Sequence, residues 1–264
     1  MKKYQIVVAY DGTDYYGWQL QPTLPSIAYK LQRSFFQIFG STIKITGASR
    51  TDAGVHANGQ VAMFQTDLII DPKNMLRAWN NRLPSDIVIR SITVADPTFH
   101  PFYNVERKTY HYHLFLERPA PYVQRFGAYC ETQIDLSIFK QALDIFVGTH
   151  DFTSFCAADT EAPSKIRTIN SITLDYVPEW CAYRITIVGP SFLRYMIRRI
   201  VGAAIKVATS DTMTIEYIQE ILNAKNPNNP LPTASAKGLT LHEVVYQTMS
   251  RRSDNQEVKG NDHE

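Results

Sequence analysis

The sequence predicts an α+β fold: two split-βαβ (ferredoxin-like) halves that join into one extended antiparallel sheet, with helices packed on one face and a central cleft. Two observations predict it. Over residues 1–100, apolar residues recur at strand and helix spacing in the order strand, helix, strand, strand, helix, strand. That order returns loosely over 101–250 without any repeat of sequence, so the halves share an arrangement of elements only. The switch falls in "DPTFHPFYN", Asp96–Asn104.

Each element has a local reason. Lys3–Tyr10 carries Ile6, Val7 and Val8 and reads as a strand. "DGTDYYGWQLQPTLPS" is a long loop rich in Gly, Pro and aromatics. Ser26 caps a helix to Phe39, with Ile27, Leu31, Phe35 and Ile38 at helical spacing. Thr42–Ala48 and Gly59–Gln65 alternate like strands. Asp71-Pro72 starts a helix through Trp79, Pro84 ends it, and Asp86–Ala95 is the next strand. In the second half, Val105–Glu117, Ile166–Tyr176, Ala182–Gly189 and Leu239–Thr248 read as strands. Leu136–Val147, Phe192–Thr209 and Thr214–Asn223 read as helices. The stretch 251–264 is a polar tail, expected to be disordered.

The bulk numbers narrow the function. The chain has 264 residues, 44% hydrophobic and 20% charged, which is globular composition. A net charge of +2 excludes a whole-chain attraction to nucleic acid, so any basic surface is local. Three well-separated cysteines, Cys130, Cys156 and Cys181, suit a reducing compartment rather than a disulfide framework. "MKKYQIVVAYDG" reads as a first strand rather than a signal peptide, and no apolar run reaches membrane-span length. The expectation is a soluble cytoplasmic protein. No Walker loop, GxGxxG, HExxH or GxSxG occurs.

Four stretches carry candidate chemistry. In "SRTDAGVHA", Asp52 follows a strand, Arg50 lies two residues before it and Gly54 two after. With both side chains on one side, the arginine would lower the carboxyl's pKa and keep it ionised as a nucleophile or base. The plain alternative is a turn aspartate bonding its own backbone. In "YDGTDYYGWQLQ", Tyr15, Tyr16 and Trp18 suit unstacked bases or, equally, cover the end of the core. In "ERKTYHYHLF", alternation puts Lys108, Tyr110 and Tyr112 on one face and Thr109, His111 and His113 on the other. The cation and tyrosines suit a nucleotide pocket; the histidines lack a third metal ligand and read as structural. In "SFLRYMIRRIVGAAIKVAT", Arg194 and Arg198 flank one side of an apolar stripe and Arg199 the other. A solvated basic face is the alternative there.

Taken together, "YDGTDYYGWQ", "SRTDAGVHA", "NNRLPSDI", "FHPFYNVERKTYHY", "DFTSF", "FLRYMIRRIVG" and "ASAKGL", in that order, resemble the bacterial tRNA pseudouridine synthase A (TruA) family from Lys3 to Thr248. The resemblance implies an isomerase that turns uridine into pseudouridine in the tRNA anticodon stem-loop, at about positions 38 to 40, with the target base taken out of the stack. It implies no cofactor and no metal, and a homodimer whose two subunits both touch each tRNA. Asp52 matches the catalytic aspartate and Arg50 the arginine that positions it. Tyr110 matches a tyrosine that packs on the target base and moves a proton, and Arg198 an arginine that pairs with the aspartate or a phosphate. Asp11, Trp18, Gln19, Lys108 and Arg194 are expected to join Tyr110 in binding substrate.

The chain departs from the family at three places. Phe102 stands where an arginine is usual, Leu20 where a basic residue is common, and "SIAYKLQ" lacks the usual Val-Gln. These touch RNA binding more than chemistry. A tRNA-binding protein without catalysis is disfavoured by the intact Asp52, Arg50, Tyr110 and Arg198. A nucleosidase is disfavoured because a second carboxylate beside the first is wanting, Asp11 and Asp14 being the nearest.

Overall fold

A computed structural model describes residues 1–21, 23–210 and 212–247. Thr248 and the tail expected at 251–264 lie outside the described residues. Chain order is β1 (Lys2–Tyr10), α1 (Ile27–Phe39), β2 (Thr46–Gly47), β3 (His56–Thr66), α2 (Pro72–Asn80), β4 (Ile87–Val94), β5 (Val105–Phe115), β6 (Ala128–Tyr129), α3 (Leu136–Asp144), β7 (Gly148–Asp151), β8 (Ile166–Ile169), β9 (Ser171–Val177), β10 (Ala182–Gly189), α4 (Met196–Ala208), α5 (Ile215–Ala224) and β11 (Leu239–Tyr246). This is the expected α+β arrangement, with one large sheet in the order β4-β1-β3-β11-β5-β10-β9.

The neighbours in that order pair antiparallel with one exception, at the seam between the halves. There β11 meets β3 in parallel, Thr240 beside His56 and Leu241 beside Ala57. The last described strand therefore completes the centre of the sheet. The short β6 also lies parallel to β5, at the end of that strand. Tyr4, Ile6 and Val8 alternate onto the buried face of β1. Phe64 of β3 stacks on Tyr4 and meets Phe35 of α1 and Trp79 of α2 edge-on, at ring distances of 5.2, 5.5 and 5.4 Å. Among the described residues, no helix is long and apolar enough to cross a membrane.

Capping chemistry accounts for the helix starts. Asp71 accepts from the Lys73 and Asn74 amides ahead of α2, with Pro72 in its first turn. Ser26 caps α1, and Gly40 closes it in the left-handed conformation.

Four boundaries differ from the sequence reading. The expected strand Thr42–Ala48 shrinks to Thr46–Gly47, because the Ile45 amide donates to the Gln32 side chain of α1 instead of a ladder. The expected Ile166–Tyr176 breaks at Asn170: β8 pairs with β7 in a separate two-stranded sheet, and β9 joins the main one. Helix α3 stops at Asp144 rather than Val147. Helix α4 begins at Met196 rather than Phe192, because Tyr195 takes a left-handed φ of 65° just before it. β6 and β7, both short, went unread.

Candidate active site

The β2–β3 loop is fastened from below by side chains that behave like missing strand partners. Gln60 of β3 is fully buried; its amide nitrogen donates to the Ser49 carbonyl at 2.6 Å, and its oxygen accepts from the Ser49 amide at 3.1 Å. The Thr51 hydroxyl shares a 2.7 Å hydrogen bond with the Tyr10 phenol of β1. Lys108 of β5 donates to the Ala48 carbonyl at 2.6 Å. From above, the Trp18 amide donates to the Thr51 carbonyl and the Gly54 amide to the Tyr15 carbonyl. Gly17 makes that approach possible, since a Cβ there would sit 2.4 Å from the Thr51 carbonyl oxygen. Gly54 turns the chain at a φ of 76°, which favours glycine.

This loop holds Asp52 at the wall of a cavity of about 940 Å³. The Asp52 carboxylate lies 3.3 Å from the Arg198 guanidinium, and the two side chains are 16% and 15% exposed. Arg198 also donates through Nε to the Ala234 carbonyl at 2.8 Å, which fixes its fork. Both Arg194 and Arg198 lie over the ring of Tyr195, at 4.7 and 5.2 Å. Tyr195 thus sits at the head of α4 in a conformation rare for its type and lies under both cations. Across the cavity, Tyr110 is buried and is met edge-on by Phe192 at 5.2 Å.

Burial sets the electrostatics. It raises the pKa of Asp52, and Arg198, followed by Arg194, opposes that rise. Burial also pushes the Tyr110 phenol up to about 12; the Ser49 hydroxyl beside it opposes the rise and the Asp52 charge adds to it. The phenol therefore enters any neutral-pH reaction protonated. Burial alone lowers Lys108, to about 8.

The structure gathers most of the residues expected at the site. Gln19, Arg50, Asp52, Lys108, Tyr110, Arg194 and Arg198 all line the cavity. Arg50, expected to hold Asp52, is exposed on the cavity rim, and the guanidinium beside the carboxylate is that of Arg198. The expected lowering of Asp52 by Arg50 gives way to a net rise from burial.

Two expected binding residues lie outside the cavity. Trp18 is 2% exposed and packs against Tyr10 and over Gly47. Asp11 accepts from Thr13 and pairs with Arg125 at 2.8 Å beside His56. His56 accepts from the Gly12 amide through Nδ1, while Nε2 faces the Arg125 and Lys237 carbonyls at 3.0 and 3.2 Å. Asp11 and His56 thus brace the seam between the halves. His111 and His113 lie on the face opposite Tyr110; His111 stacks on His242 at 4.0 Å. Burial depresses His111 to about 3 and His113 to about 4.

Sequence reading missed Gln60 and Tyr195. Gln60 had a legible signal: alternation through Ala62 and Phe64 assigns it to the buried face, where a lone amide needs partners. The left-handed turn at Tyr195 had none, since tyrosine is not a residue that announces a positive φ.

Comparison with known proteins gives a consistent result. A family model described as tRNA pseudouridine synthase matches residues 6–104 and 142–247. The chain is 36% identical over 256 residues to tRNA pseudouridine synthase A of Thermodesulfovibrio yellowstonii, covering 93% of this chain and 100% of that one. It is 38% identical over 252 residues to tRNA pseudouridine synthase A 1 of Protochlamydia amoebophila, covering 94% and 97%. It is 36% identical over 249 residues to tRNA pseudouridine synthase A of Brevibacillus brevis, covering 93% and 100%.

The role of Gln60 is testable without substrate. Gln60→Leu strands the Ser49 amide and carbonyl in the interior and is expected to cost about 2–4 kcal/mol of stability. Gln60→Glu keeps the acceptor and is expected to fall between Leu and wild type near neutral pH. Urea unfolding midpoints read both; an unchanged midpoint for Gln60→Leu would mean that the loop is held by its other contacts.

Proposed function

The chain belongs to the tRNA pseudouridine synthase family and is an isomerase of tRNA uridine; from that premise we propose that it acts on the anticodon stem-loop, with Asp52 as the nucleophile. The observation that carries the nucleophile is the ion pair of Asp52 with Arg198, both mostly buried, on the wall of a cavity that opens to solvent. A cavity of about 940 Å³ has room for one extruded nucleotide. The choice of stem-loop rests on the ordered motifs from "YDGTDYYGWQ" to "ASAKGL".

The roles follow from geometry. Arg198 keeps Asp52 ionised against the cost of burial. Tyr110 offers a ring face to the uracil and a hydroxyl to the chemistry. Because that phenol is protonated, it takes the C5 proton only by passing its own proton on; Asp52, whose charge it feels, is the acceptor at hand as its bond to the substrate breaks and its carboxylate is released. Arg50 and Arg194 at the cavity wall meet phosphate, with Gln19 beside them. Arg194 already pairs with Asp159 at 2.8 Å, so RNA must compete for it. A homodimer that shares each tRNA between subunits, working in the cytoplasm where its substrate is, completes the reading.

Four outcomes are expected. Asp52→Asn keeps tRNA affinity and releases no tritium from tRNA labelled at uridine C5, because the amide is not a nucleophile. Release at near wild-type rate from that variant would remove Asp52 from the chemistry. The same assay with anticodon-arm and T-arm fragments locates the target uridine; release from the T-arm alone would refute the anticodon assignment.

Tyr110→Phe keeps the ring and loses the hydroxyl. Its single-turnover rate is expected to fall about 10²–10⁴-fold, with tRNA still bound. Tyr110→Ala is expected to lose binding as well, by about 1–3 kcal/mol. Wild-type rates for Tyr110→Phe would leave stacking as the whole role of this residue.

Sedimentation at micromolar concentration is expected to show a dimer. A fully active monomer would end the shared-tRNA arrangement.

A further inference from the structure

The cavity wall beside Tyr110 holds two polar groups that the roles above leave with spare capacity. Lys108, two residues before Tyr110 on the same face of β5, is only 9% exposed. Its ammonium carries three protons. One goes to the Ala48 carbonyl at 2.6 Å, and among the described residues no carboxylate lies within ion-pair distance. Ser49, the next residue after that carbonyl, is 6% exposed and also lines the cavity; its hydroxyl faces the Tyr110 phenol but makes no hydrogen bond of normal geometry. A cation with unused donors and a hydroxyl without a well-formed hydrogen bond thus line the same cavity. Each is costly there unless something binds it.

We propose that Lys108 and Ser49 form an oxyanion site for the substrate base, holding a carbonyl oxygen of the flipped uracil. The idea rests on the pseudouridine synthase reading and on Asp52 as nucleophile. Both routes open to Asp52 need such a site. If the carboxylate attacks C1′, the C1′–N1 bond breaks, and its electron pair spreads from N1 onto the ring carbonyl oxygens. If it adds to C6, the C5=C6 pair moves through C4 onto its oxygen. Either way a uracil oxygen gains negative charge, and a fixed ammonium and hydroxyl stabilise it without transferring a proton. A substrate phosphate is the other source of anionic oxygen. Depth argues against it, because Lys108 is as buried as Tyr110 and the base travels deeper than its backbone.

The pH dependence gives a second handle. The charged and titratable groups that share the cavity with Lys108 are Tyr110 on its own strand, Tyr16 on the loop after β1, Arg50 and Asp52 on the β2–β3 loop, Arg194, Tyr195 and Arg198 at the head of α4, and Asp159, which pairs with Arg194, with Glu161; the buried phenols of Tyr10 on β1 and Tyr246 on β11 belong to the same sheet. Burial pushes Tyr10, Tyr110 and Tyr246 upward, and arginine holds its charge throughout. Lys108, lowered to about 8, is the group here whose loss of charge gives an alkaline limb. Activity should be full below that pH and fall as pH rises through it. The acid limb belongs to Asp52.

The test is single-turnover tritium release from C5-labelled tRNA across pH 5–10, together with tRNA affinity and salt dependence, for wild type, Lys108→Met, Lys108→Arg and Ser49→Ala. Far-UV circular dichroism checks that each variant is folded. Lys108→Met is expected to lose about 10²–10³-fold in rate with affinity nearly unchanged. Ser49→Ala is expected to lose roughly tenfold. Lys108→Arg keeps a cation, so its alkaline limb should move out of range while the acid limb stays. The proposal is overturned if Lys108→Met reacts at wild-type rate. It is overturned equally if the loss lies in affinity with a salt slope reduced by about one, which would mark a phosphate contact. An alkaline limb unmoved in Lys108→Arg overturns it even where Lys108→Met fails to fold. Wild-type protein releasing no label would instead refute the synthase reading itself.

Discussion

The carboxyl of Asp52 is pulled two ways: burial favours its neutral acid, and Arg198 at 3.3 Å favours the anion. Much of the architecture around the site serves that contest. A more open loop would hydrate the carboxylate and relieve the cost of burial. A site without Arg198 would let burial raise its pKa further. The arginine is therefore given no freedom: Ala234 accepts from its Nε, Tyr195 lies beneath its plane, and the helix that carries it starts only after a left-handed turn. A guanidinium so constrained loses little entropy when it serves as counterion.

The loop that carries Asp52 raises the same problem in its backbone. Between Gly47 and His56 the chain leaves the sheet, so its peptide groups have no ladder to satisfy them. Buried side chains supply the bonds instead. Gln60 mimics a peptide for Ser49, Lys108 takes Ala48, and the loop after β1 takes Thr51. This gives rigidity without strand geometry, and leaves the Asp52 side chain turned to the cavity rather than to a sheet face. The same solution puts a lysine where an isolated cation is otherwise expensive. The structure tolerates it through a single carbonyl.

The legible part of this protein was the part governed by periodicity and caps. The helix after Asp71-Pro72, the alternation that puts Lys108 and Tyr110 on one face, and the element order of both halves all follow from local rules. The departures have local causes too. Gln32 reaches from α1 to the Ile45 amide and dissolves a strand that alternation predicted. Tyr195 interrupts a helical pattern that is otherwise continuous from Leu193. Arg50 looks like the partner of Asp52 because it is near in sequence, yet the partner comes from residue 198, a contact between halves. Trp18 looks like a stacking platform because aromatics crowd its loop, yet its ring fills the core under Gly47. Side-chain pairing across distant segments is what a single sequence hides.

The seam explains why so much of the site depends on distant segments. Among the described residues, β3 pairs with the second half's strands through a short parallel ladder with β11. Parallel pairing over two residues is a weak joint by itself. Asp11, His56 and Arg125 reinforce it, and His56 reaches the Lys237 carbonyl just before β11 begins. Burial keeps that histidine neutral, with Nδ1 accepting from Gly12 and Nε2 left to donate. Asp52 comes from one side of this joint, and Tyr110 and Arg198 from the other. The cavity they line is a product of the whole sheet, and Leu239 at the start of β11 forms part of its wall.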